Sequence, residues 1–152
     1  MFKYMAAMTN AILFGGTAPV YDETLARNYE RLFSGFEEQE TAKSLHFMLP
    51  DQLVEAMKKG EEIVILDVRT QREQSIVGIT SPGTLHIPMN KVFAPESLAQ
   101  IPLDKKLVVT CQSGVRCTAI AMALRDIGFA NVYSLKGGLV KLTEYLDPKT
   151  AF

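Results

Sequence analysis

The stretch Leu107-Val108-Val109-Thr110-Cys111-Gln112-Ser113-Gly114-Val115-Arg116 runs from an apolar, β-branched segment through a short polar loop into an Ala-rich helical segment. An apolar run of this kind reads as a strand buried on both faces. The helical segment continues to Ile127, where Gly128 stops it. A cysteine at the join of strand and helix meets the unpaired N–H groups and the positive dipole end of the first helical turn. Such surroundings bring a thiol pKa from about 8.5 down to between roughly 3.5 and 7.5. Cys111 is therefore a candidate nucleophile.

Outward from this stretch, strands alternate with helices. Leu45 to Leu49 reads as a short strand, and Pro50 and Asp51 open a helix carrying Leu53, Val54 and Met57 that Gly60 stops. Ile63-Val64-Ile65-Leu66 is a second buried strand, closed by Asp67-Val68-Arg69, and a polar helical segment begins near Thr70. A loop with Gly78, Pro82 and Gly83 leads to a small strand, Thr84 to Ile87, and a helical piece lies near Pro95 to Gln100. The strand Lys106 to Thr110 follows. After the long helix come a strand at Val132 to Leu135 and a last helix after Gly137-Gly138. This alternation predicts an α/β domain with a parallel sheet, whose ligands bind at the carboxyl ends of strands. Cys111 occupies such an end.

Before residue 44 the pattern is helical only. Met1, Met5, Met8 and Ile12 recur at helical spacing, Gly15-Gly16 and Pro19 interrupt them, and a second pattern carries Tyr21, Leu25, Tyr29, Leu32, Phe33 and Phe36 on one face. So aromatic a face needs cover. It either packs on its own domain or serves as a dimer interface or a partner-docking helix.

Composition narrows the function classes. The 152 residues carry 16 Lys and Arg against 17 Asp and Glu, a net charge of −1, which argues against a nucleic-acid partner. The apolar fraction of 47% suffices for a core. Two cysteines and two histidines, Cys111, Cys117, His46 and His86, show neither a disulfide framework nor a metal-site spacing, so no metal or cofactor is expected. Ala6 to Phe14 imitates a signal peptide only weakly, and no run reaches the length of a transmembrane helix. A soluble, cytoplasmic protein with a free thiol is the expectation.

The loop itself defines the chemistry. Gly114 permits a sharp turn, and the amides of Gln112, Ser113, Gly114, Val115 and Arg116 can converge on one point as an anion-binding nest. Arg116 adds a cation and planar donors suited to oxyanions. No general base is evident, since His86 follows a different strand. A nucleophile in an anion cradle without a base suits thiolate attack on a phosphate ester or on sulfane sulfur. A phosphoryl group needs the wider bowl. Four residues separate Cys111 from Arg116, one fewer than the Cys-x5-Arg of cysteine phosphatases.

Together with this loop, Ile65-Leu66-Asp67-Val68-Arg69, Leu85-His86-Ile87-Pro88 and Lys136-Gly137-Gly138 resemble a single-domain rhodanese in order and spacing, from about residue 45 to 147. The resemblance implies an open parallel sheet flanked by helices over 45–152, with 1–44 as a helical extension that the minimal domain lacks. It also implies that Cys111 accepts sulfane sulfur as a persulfide, that the amides of residues 112 to 116 surround the terminal sulfur, and that Arg116 attracts the anionic donor. Asp67 and Arg69 match the family's Asp-Val-Arg signature and are expected to brace the strand ends. Two departures stand out. Val77-Gly78-Ile79-Thr80 lacks the histidine of the family's Gly-His-Ile, and Leu139 follows the Gly-Gly turn where a Trp is common. Both positions serve packing, so the fold is expected to survive them. Cys117 is expected to face the helix interior as a small apolar residue; its other reading is a resolving thiol.

The leading expectation is thus a sulfurtransferase that takes sulfur from a small anionic donor, thiosulfate, polysulfide or a persulfide, and passes it to cyanide or a thiol. The alternative is a low-turnover persulfide carrier that docks a partner through its N-terminal helices. A homodimer through residues 1–44 is one reading of their apolar faces, with the oligomeric state left open, and loop length disfavours a phosphatase or arsenate reductase.

Overall fold

Why Ile63-Val64-Ile65-Leu66 and Leu107-Val108-Val109 pair at the centre follows from their composition: β-branched runs without polar interruptions must be covered on both sides. The computed structural model describes residues 21–34, 45–147 and 149. Its order is α1 (Glu23–Ser34), β1 (Phe47–Met48), α2 (Pro50–Lys58), β2 (Ile63–Asp67), α3 (Gln71–Ile76), β3 (Leu85–His86), α4 (Pro95–Leu98), β4 (Lys106–Thr110), α5 (Val115–Asp126), β5 (Val132–Leu135) and α6 (Gly138–Leu146). A 3-10 turn at Met89–Lys91, which the sequence pattern did not suggest, precedes α4. The five strands form one parallel sheet in the order β1-β5-β4-β2-β3. This is the parallel α/β architecture that the alternation predicted, and the two family departures leave it intact.

Side chains of β4 alternate between the faces. Leu107 and Val109 join Leu66, Ile120, Ala121 and Leu124 in one core cluster, beneath α5. Val108 joins Met48, Leu53, Leu135, Leu139 and Leu142 in the other, beneath α2 and α6. The second face is less filled. A cleft of about 640 Å³ opens there, lined by α2, α6 and residues 77–82, with Val77, Ile79 and Leu139 among its walls. Both departures from the family pattern thus border the same space.

The chain divides into two compact units, Met1–Phe36 and Glu37–Phe152. In the first, Asp22 starts α1 by accepting hydrogen bonds from the amides of Thr24 (2.9 Å) and Leu25 (3.0 Å). Tyr21, Leu25, Tyr29 and Phe33 are all exposed. The Met1–Ile12 pattern and Phe36 lie outside the described residues. Among the described residues no helix is long and apolar enough to cross a membrane.

Candidate active site

The reactive loop leaves β4 at Thr110 and enters α5 at Val115. Gly114 caps that helix with φ +95°, a left-handed conformation that glycine adopts without strain. A side chain there would also meet the Gly137 nitrogen at 2.9 Å. The loop is turned inside out by α6: the amide of Leu139 donates to the Cys111 carbonyl (2.8 Å) and that of Val140 to the Gln112 carbonyl (3.1 Å). With carbonyls engaged outward, the loop amides face inward, and Gly114 N–H donates to Cys111 Sγ at 3.2 Å. Gly138 makes the close approach possible, because a Cβ there would lie 2.5 Å from the Cys111 carbonyl oxygen.

Cys111 is fully buried. The neighbouring Cys117 side chain is the first cause that brings its pKa down to about 5; burial opposes this, and the amides of Cys117, Ser113 and Gly114 assist. Cys117 is pushed the opposite way, first by its hydrogen bond to Cys111 and then by burial, so it stays a protonated thiol. Gln112, Ser113 and Val115 are exposed, so what they supply to the bowl is backbone.

Arg116 lies under bidentate hold: Nη1 donates to Glu73 Oε2 at 2.9 Å and Nη2 to Oε1 at 2.5 Å. Glu73 sits in the first turn of α3, where its Oε2 also accepts from the Thr70 amide (2.9 Å) and hydroxyl (2.8 Å). The Arg116 guanidinium, with the two Thr70 bonds, holds the Glu73 carboxyl far below the usual range. Glu73 in turn keeps Arg116 charged, with a smaller pull from Cys111. Arg116 is thus held by the Glu73 carboxylate at the rim of the cysteine loop. The reading of residues did not single out Glu73. Its signal is the Thr70-x-x-Glu73 spacing of a capping box, formed here with Thr70 Oγ1 accepting from the Glu73 amide at 3.2 Å.

Asp67 and Arg69 stand on the neighbouring strand β2 and just beyond it, and bond to each other. Asp67 pairs in register with Thr110. Arg69 donates to it through Nε (3.0 Å) and Nη2 (2.7 Å) and spends Nη2 again on the Val77 carbonyl (2.7 Å). Both are buried. His86 lies on β3, separated from β4 by β2, with Nδ1 3.8 Å from Asp67 Oδ2. Among the described residues, no group of three or more His, Cys, Asp or Glu side chains could hold a metal.

Comparison with known proteins agrees with this geometry. Residues 49–145 match the rhodanese-like domain. The chain is similar to a probable adenylyltransferase/sulfurtransferase, MoeZ, of Mycobacterium tuberculosis, 31% identical over 65% of this chain and 25% of that one. It is also similar to a sulfurtransferase of Allochromatium vinosum, 29% identical over 59% of this chain and 80% of that one. A rhodanese-related protein of Thermoplasma volcanium superposes with a TM-score of 0.56 at 25% identity, covering 65% of this chain and 91% of the other. The chain thus spans only a quarter of the length of the Mycobacterium relative. Sulfur transfer in general is the chemistry these matches support. A Cys-x4-Arg loop at the carboxyl end of a central parallel strand, matched along residues 49–145, makes the chain a member of the rhodanese-like family.

Proposed function

We propose that this chain is a sulfurtransferase that carries sulfane sulfur as a persulfide on Cys111, taking it from thiosulfate, polysulfide or a low-molecular-weight persulfide and giving it to cyanide or a thiol. The observation that carries this reading is a fully buried cysteine with pKa about 5 at the floor of a closed six-residue loop. A buried thiolate is a nucleophile for a narrow, single-atom electrophile, and attack on sulfane sulfur requires no general base. The inward amides then face the negative terminal sulfur. Arg116, held by Glu73 at the rim of the loop, balances the charge that passes between donor, persulfide and leaving group. Both cysteines are free, which fits a reducing compartment such as the cytosol.

Incubation with thiosulfate, polysulfide or glutathione persulfide should add the mass of one sulfur atom, and Cys111→Ser should abolish the gain. Absence of that gain with every donor overturns the proposal. A second reading, a slow persulfide carrier that docks a partner through its N-terminal helices, draws on the exposed Tyr21 and, on α1, the exposed Leu25 and Tyr29. Full persulfide loading with almost no thiosulfate:cyanide turnover would select it.

A further inference from the structure

Arg69 and Arg116 both lie at the carboxyl edge of the central strands, and each is committed to a carboxylate. The two pairs differ in setting. Arg69 is buried against Asp67 and spends a further bond on the Val77 carbonyl. Arg116 is carried by the reactive loop, and its side chain and that of Glu73 are 32% and 31% exposed, so this pair is open to whatever approaches the loop. Both Nη atoms and both carboxylate oxygens are used in it. Glu73 is also fixed independently of Arg116. Thr70 donates to its Oε2 through amide (2.9 Å) and hydroxyl (2.8 Å), and the Glu73 amide donates back to Thr70 Oγ1 (3.2 Å). An anion that drew Arg116 toward itself would therefore leave the carboxylate in place, its charge uncompensated at the rim. Lys136, the basic residue that follows β5, has its Nζ 6.0 Å from the Phe47 ring on the outer strand β1.

We propose that Glu73 is a specificity-determining residue: by occupying Arg116 it sets the loop against dianionic donors such as thiosulfate and favours a hydropersulfide, whose reacting end is uncharged. The inference rests on the persulfide reading and names its donor class. The charge count gives the reason. With thiosulfate, Cys111–S⁻ + S–SO3²⁻ → Cys111–S–S⁻ + SO3²⁻. The S–S bond of the donor breaks, its electron pair leaves with sulfite, and three negative charges share the site throughout. With a hydropersulfide, Cys111–S⁻ + RS–SH → Cys111–S–SH + RS⁻. The electron pair leaves on RS⁻, the proton stays on the transferred sulfur, and a single negative charge passes through. The loop amides face one such charge. Three call for a cation with charge to spare, and the bidentate carboxylate has already engaged that of Arg116.

The test compares two donors, thiosulfate and glutathione persulfide, on the full chain. In the wild type kcat/KM should favour the persulfide by about tenfold or more; a preference for thiosulfate overturns the proposal without any variant. Glu73→Gln keeps an oxygen for Thr70 and Arg116 and removes the charge. The quotient of kcat/KM for thiosulfate over that for the persulfide should rise about tenfold, and the rise should shrink as salt is added. A merely structural role would lower both donors alike, and an unmoved quotient overturns the proposal while sulfur loading of Cys111 upholds the sulfurtransferase reading. A binding measurement needs no transfer: thiosulfate should bind the Cys111→Ser chain about tenfold more tightly once Glu73→Gln is added. Should no donor load Cys111, the sulfurtransferase reading falls, and unchanged thiosulfate affinity in this pair overturns the role of Glu73 separately.

Discussion

The two faces of the sheet are built to different tolerances. Under α5, Leu107, Val109, Ala121 and Leu124 are buried to 1% exposure or less, and the cluster continues without a gap to Cys111 and Cys117. Under α2 and α6 the cluster is smaller, and it borders a cleft of about 640 Å³. The nucleophile belongs to the filled face, where its neighbours cannot shift. The departures from the family pattern fall on the open face, where a lost side chain costs little. Rigid packing and tolerance of change are thus divided between the two sides of one sheet.

Five substitutions break or sharpen this contrast. The largest effect is expected at the carboxyl edge shared by both faces: Arg69→Ala strands the buried Asp67 carboxylate and should cost about 3–5 kcal/mol in urea unfolding. Next, the same deletion on each face should read differently. Leu124→Ala, with no free space around it, should cost about 4 kcal/mol, and Leu142→Ala, beside the cleft, about 2 kcal/mol. Equal losses would erase the distinction. The smallest effect separates the faces by sign: Leu142→Phe should stay within about 1 kcal/mol of wild type because the cleft accepts the added volume, whereas Leu124→Phe should cost about 1–3 kcal/mol by overpacking. Thermal or urea melts of the four variants, compared pairwise, decide it.

What the sequence disclosed follows the range of the forces involved. Pro50, Gly60, Gly128 and Gly137-Gly138 act within a turn of the residues they punctuate, so α2, α5 and α6 were legible with their ends close to those found. The β-branched runs at 63–66 and 107–110 declared themselves by composition. Strand order did not. That β1 lies outside β5 is settled by pairings such as Phe47 with Ser134, which no local pattern encodes. The loop's length and its cysteine were readable in place, but Arg116 gains its carboxylate partner from α3, across 43 residues. Cys117 looked like a small apolar residue because burial is all that spacing reports. Its hydrogen bonds, donated to the Gly114 carbonyl and accepted from Ser134, come from pairings that spacing does not encode.

The hydrogen bonds from Leu139 and Val140 to the loop carbonyls carry a consequence for biosynthesis. As the chain emerges from the ribosome, Cys111 appears well before the residues that turn its loop amides inward. Until α6 docks, those carbonyls lack the two amides that hold the loop in its finished shape. The finished geometry of the reactive loop thus depends on residues made after it, and synthesis must reach α6 before the loop can close.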